Sequence, residues 1–118
     1  MKKSIKIIFP VIILIIVAFS IVNSKLLIGS KKNIIAEYTW NQLSVSEKSE
    51  IINSFKDASI RIITADKNSE SYHMTNEDFD GKRIYVVTFK SKEKDLNGNV
   101  VKLVDMDNYN IIGYYFRN

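Results

Sequence analysis

The side chains able to do chemistry are few in this 118-residue chain, and their spacing limits what they can do. Asn76-Glu77-Asp78-Phe79-Asp80-Gly81 sets oxygen-bearing side chains at alternate positions and a glycine at the sixth, as the start of a calcium-binding loop does. The pattern then fails, because the eighth position is Arg83 and the twelfth is Val87, where a bidentate glutamate is required. The simpler reading is a turn in which Asp80-Gly81 redirects the chain into a strand. His73 is the single histidine. A general base needs a neighbour that orients its ring, and a zinc site without cysteines would rest on carboxylates, so His73 reads as a surface or edge-strand residue.

Ser44, Ser46, Ser49 and Ser54 sit around one predicted helix, where capping and solvation account for them, and no Gly-x-Ser-x-Gly elbow occurs. The four glycines are scattered, which leaves no loop to cradle a phosphate. With no cysteine there is no disulfide and no lipid-modified cysteine, so the folded part stands on its core alone. No catalytic, cofactor-binding or metal-ligating residue is therefore assigned, no small-molecule substrate is identified, and an enzyme is not expected. Tyr85, Phe89, Tyr109, Tyr114, Tyr115 and Phe116 are expected mainly in the core or in cross-strand pairs. A surplus on an open face would make a protein-binding patch.

Charge placement removes one class of partner. The net charge is +4, yet residues 1–30 hold four lysines and no acid, which leaves thirteen basic residues against all 13 acids in the remainder. Nucleic-acid binding draws its affinity from a basic stripe on the folded part, so it is not expected here. The excess belongs to the N-terminal segment. There Lys2, Lys3 and Lys6 precede Ile7 to Val22, sixteen residues without a charge. With its flanks, a helix of about 20 residues and about 30 Å matches the hydrocarbon thickness of a bilayer. Pro10 lies in its first turn, where a missing donor does least harm.

Residues 1–29 accordingly read as a signal-anchor or transmembrane segment, with membrane contact through residues 7–22. Cleavage after Val22-Asn23-Ser24 is the alternative, which would release a secreted domain. Lysines flank both ends of the span, since Lys25, Lys31 and Lys32 follow it. The preferred orientation keeps the N-terminus inside and the domain outside the cytoplasm. Abundant Ile, Lys and Asn suggest a low-GC bacterial source.

Residues 30–43 read as a juxtamembrane segment, in which Ile34, Ile35, Tyr38, Trp40 and Leu43 form a short helical face. Trp40 either sits at the membrane interface or, as preferred here, packs into the core. Residues 44–118 read as a small α+β domain. Ser44-Val45-Ser46-Glu47 fits a capping box, and Val45, Lys48, Ile51, Ile52 and Phe55 continue at helical spacing. That helix is expected to lie across a sheet. Strands are expected at residues 59–65, 82–90, 100–105 and 111–116, with a brief one at 72–75. Asn97-Gly98 marks a hairpin and residues 107–110 a second turn. The expected architecture is an antiparallel meander of three to four strands under one helix, with one face buried and the other wet.

The run Lys82-Arg83-Ile84-Tyr85-Val86-Val87-Thr88-Phe89, then Gly98, Val101-Lys102-Leu103-Val104-Asp105 and Ile111-Ile112-Gly113 resembles the PepSY domain over residues 45–116. That family pairs an amphipathic helix with a meander of this kind. Asn108-Tyr109-Asn110 depart from it, since a Thr-Gly or similar usually follows the aspartate. The resemblance implies a non-enzymatic, extracytoplasmic module of the kind proposed to restrain peptidases, and it carries no catalytic residue over.

Overall fold

The β-branched and aromatic runs in the second half of the chain pair as strands, and their register decides which side chains share a face. In a computed structural model of the protein, residues 31–92 and 98–117 are described. Five strands form one antiparallel sheet: β1 (Ser59–Thr64), β2 (Tyr72–Met74), β3 (Arg83–Phe89), β4 (Val100–Val104) and β5 (Ile111–Tyr115), in the order β1-β3-β4-β5-β2. The expected meander is β3-β4-β5, extended by β1 on one edge and the three-residue β2 on the other. With two helices, α1 (residues 31–41) and α2 (Val45–Glu50), the class is α+β. The proposed span Ile7–Val22 and Asn97 lie outside the described residues. Among those described, no helix is long and apolar enough to cross a membrane.

The helix that covers the sheet is α1, not the one predicted after Ser44. The stretch read as juxtamembrane turns Ile35, Ala36 and Thr39 inward, followed by Leu43, against Tyr85, Val87, Phe89, Val100 and Val104 of β3 and β4. Thr39 is fully buried, and its hydroxyl donates to the Ile35 carbonyl at 2.8 Å, which removes the cost of an unpaired hydroxyl. Trp40 flanks this core with its ring 6.0 Å from that of Phe89.

The capping box at Ser44 forms as expected: Glu47 N–H donates to Ser44 Oγ and Ser44 N–H to Glu47 Oε1, both at 3.1 Å. The helix nevertheless ends at Glu50, far short of Phe55, and buries no residue. The β-branched pair Ile51-Ile52 turns extended instead, Ile51 bridging to Ser91 and Ile52 N–H donating to the Lys90 carbonyl at 2.9 Å. Asn53 and Ser54 then take left-handed φ values of 58° and 55°, which a continuing helix forbids. The apolar stripe was therefore misleading. Its first member, Val45, is 86% exposed.

The expectation of one wet sheet face is also overturned. Ile84 and Val86 point away from α1 and are fully buried with Leu103, Ile112, Tyr72, Met74 and Ala65. This second core is closed by the segments on either side of β2: Phe79, from the 3-10 turn Glu77–Phe79, packs on it. Asp66 N–H donates to Tyr72 Oη at 2.8 Å, and Arg61 Nη2 reaches Tyr115 Oη at 2.9 Å. A strand buried on both faces reads as a continuous apolar run, as Ile84-Tyr85-Val86-Val87 does.

Candidate functional site

α1 covers only part of its sheet face, and the rest carries exposed aromatic side chains beside a lysine and a histidine. Register sets Lys102 of β4, Tyr114 of β5 and His73 of β2 side by side across three strands. The Tyr114 ring stands 5.5 Å from the His73 ring and meets Phe116 edge-on at 6.1 Å. Lys102 Nζ lies 5.6 Å from the Tyr114 centroid, within the range of a cation–π contact. Tyr114 is 39% and Phe116 58% exposed, so the sheet presents aromatic area to solvent here.

Two ion pairs frame this surface and tie α2 to the sheet. Lys102 Nζ meets Glu47 Oε2 at 2.6 Å, and Arg117 Nη1 meets Glu50 Oε2 at 2.7 Å. Arg117 Nη2 also donates to the Gly98 carbonyl at 3.0 Å. Between them lies a shallow depression of about 300 Å³, with Glu47, Lys102, Tyr114, Phe116 and Arg117 in its lining. Burial pushes the Glu47 carboxyl upward. The Lys102 ammonium and the N–H and hydroxyl of Ser44 outweigh it, so the group titrates below its ordinary 4.5. Both cations are thus already matched by a carboxylate, and what the surface offers a ligand is mainly aromatic area.

The other residues singled out from sequence are engaged locally. Asn76 caps the 3-10 turn by accepting from Asp78 N–H at 3.0 Å, and Asp80 Oδ1 accepts from Lys67 N–H at 3.0 Å. Gly81 adopts φ +78°, the turn into β3 anticipated from Asp80-Gly81. Among the described residues, no group of three His, Asp or Glu side chains converges as a metal would need. His73 stacks beside Tyr114 rather than against a carboxylate. Of the aromatics, Tyr85 and Phe89 are buried in the core, and Tyr109 packs on Tyr38 and Tyr85 at 5.9 and 6.4 Å. Tyr114 and Phe116 form the exposed surplus.

Gln42 gave no signal in the sequence. Its amide donates to the Tyr109 carbonyl at 2.7 Å and accepts from Ile111 N–H at 2.9 Å, which pins the β4–β5 turn to the end of α1. Searches for similar proteins return nothing: no family model, no curated protein and no solved structure matches this chain.

Proposed function

We propose that this chain is a membrane-anchored module whose α+β domain lies outside the cytoplasm and binds a protein partner through Tyr114, Phe116 and His73. The observation that carries the reading is the exposed aromatic pair formed by Tyr114 of β5 and Phe116 just beyond it, flanked by two ion pairs. Exposed aromatic clusters with a charged rim are the usual composition of protein contact sites, and rigid aromatic side chains lose little entropy on binding. The uncharged run Ile7 to Val22 supports the anchor, with release after cleavage near Ser24 as the alternative. The resemblance to PepSY domains supports a module that acts by binding rather than by catalysis.

Site-specific photo-cross-linking in the envelope of cells making the full chain tests this. A photoreactive residue at Phe116 is expected to trap one partner of defined mass, and the same residue at Val45, more exposed but off the patch, is expected to trap none. Equal trapping at the two positions, or none at Phe116, overturns the reading. The rival role is an accessory subunit acting through its membrane helix. Exchanging Ile7–Val22 for an unrelated apolar span separates the two: adducts at Phe116 survive the exchange if the domain binds, and disappear if the span does.

A further inference from the structure

The two edges of the sheet are protected very differently. β2 closes one edge with only three residues. β1 ends the other with six, Ser59-Ile60-Arg61-Ile62-Ile63-Thr64, without a proline, a lysine or a bulge. Short strands, charges and bulges are how proteins prevent such edges from pairing. The single charge on β1 is drawn aside: Arg61 extends over the second core to Tyr115, its guanidinium 2.9 Å from the hydroxyl and 5.5 Å from the ring.

The ladder also shows which backbone groups this edge presents. Ala65 N–H donates to the Lys82 carbonyl and Gly81 N–H to the Ala65 carbonyl, both at 2.8 Å, so Ala65 turns both its groups toward β3. In an antiparallel ladder this alternates, so Ser59, Arg61 and Ile63 also face β3. Ile60, Ile62 and Thr64 then point their N–H and C=O groups outward. Ile62 is 45% exposed as well, an apolar side chain at the centre of the open edge.

We infer that β1 pairs with β1 of a second copy of this chain, antiparallel about a two-fold axis at Ile62, to make one continuous ten-stranded sheet. The strand's own sequence selects this occupant and register. Centred on Ile62, the pairing sets Ile62 against Ile62 and Ile60 against Thr64, and all three outward residues of each copy bond. Arg61 then faces Ile63. Centring one residue earlier would set Arg61 directly against Arg61, which like charges disfavour. Centring on Ile63 leaves Ile60 unbonded. The axis at Ile62 is the register that satisfies every open group and opposes no charges.

Because the chain has no cysteine, single substitutions report the geometry in the full-length protein in detergent micelles. Directly opposed residues in a bonded pair have Cα atoms about 5.5 Å apart, within disulfide reach. Ile62→Cys is therefore expected to form a covalent homodimer about tenfold faster than Val45→Cys, which lies away from the edge. Thr64→Cys alone should not cross-link, since the two copies of that position lie about 13 Å apart, but mixing it with Ile60→Cys should give the heterodimer.

Adding Ile62→Pro to both partners of that mixture should abolish the cross-link and leave the circular dichroism spectrum intact, because that N–H points away from β3 and pairs with no strand among the described residues. Cross-linking of Ile62→Cys at the Val45→Cys rate overturns the inference, as does a heterodimer that survives the proline. So does disulfide formation only with chains of another mass, which would assign the edge to a foreign strand.

Discussion

Glu47 is the residue on which most depends at the smallest scale. One carboxylate oxygen closes the capping box on Ser44 and the other meets Lys102 at 2.6 Å, so a single side chain starts α2 and fastens it to β4. Its titration below 4.5 makes that fastening pH-dependent. The folded pKa is depressed relative to the unfolded one, so the contribution is complete above the ordinary glutamate range and is lost as the pH falls through the folded value. Glu47→Gln keeps an acceptor for Ser44 but removes the ion pair, and should cost about 0.5–1 kcal/mol at neutral pH. Thermal denaturation across a pH series checks it: the gap between wild type and Glu47→Gln should close below pH 4.5. A gap that persists in acid would mean the ion pair contributes nothing. Of this, Ser44-x-x-Glu47 was legible in the sequence because a capping box is local. Lys102 as its partner was not, since 55 positions separate them and nothing local links them.

At the scale of elements, legibility followed the range of the interactions. The meander, the turn at Gly81 and the bounds of β3, β4 and β5 follow from alternation and turn residues within a few positions. The helices did not, because helical spacing in Val45 to Phe55 competes with pairing to the end of β3, and tertiary contact wins. α1 hides its role in a polar-looking stretch, its central inward residue being a threonine that satisfies its own hydroxyl. β5 holds a further element-scale constraint, at Gly113. A Cβ there would run into the His73 carbonyl oxygen and come within 2.7 Å of Leu103 Cδ1 and 3.2 Å of Met74 Cα. The leucine can swing aside, but the backbone of β2 cannot without breaking its pairing with β5. Gly113→Ala should therefore cost about 1–3 kcal/mol, as overpacking does. The loss should appear first as faster amide exchange at Tyr72 to Met74. Unchanged exchange there would show that β2 yields without losing its bonds.

For the molecule as a whole, the decisive feature is that β3 serves two cores at once. Tyr85, Val87 and Phe89 pack under α1, while Ile84 and Val86 pack under the segments around β2. Alternation along a single strand thus fastens both layers to one backbone, and neither core can loosen without disturbing the strand the other needs. Unfolding of Lys32–Asn118 should then be one cooperative transition, with a stability of about 4–13 kcal/mol for a unit of this size. The single tryptophan makes this measurable, because Trp40 stands beside Phe89 on the α1 side and reports that core alone. Ile84→Ala opens a cavity on the opposite side, where a buried isoleucine is worth about 2–5 kcal/mol. If the two cores are one unit, the unfolding free energy followed by Trp40 fluorescence falls by that full amount, as a lower denaturant midpoint with an unchanged slope. If they were independent, the fluorescence transition would stay where it is and only a probe on the Ile84 side would move. The continuous burial of Ile84 through Val87 favours the first outcome, since residues of the two layers alternate along that run and share one backbone.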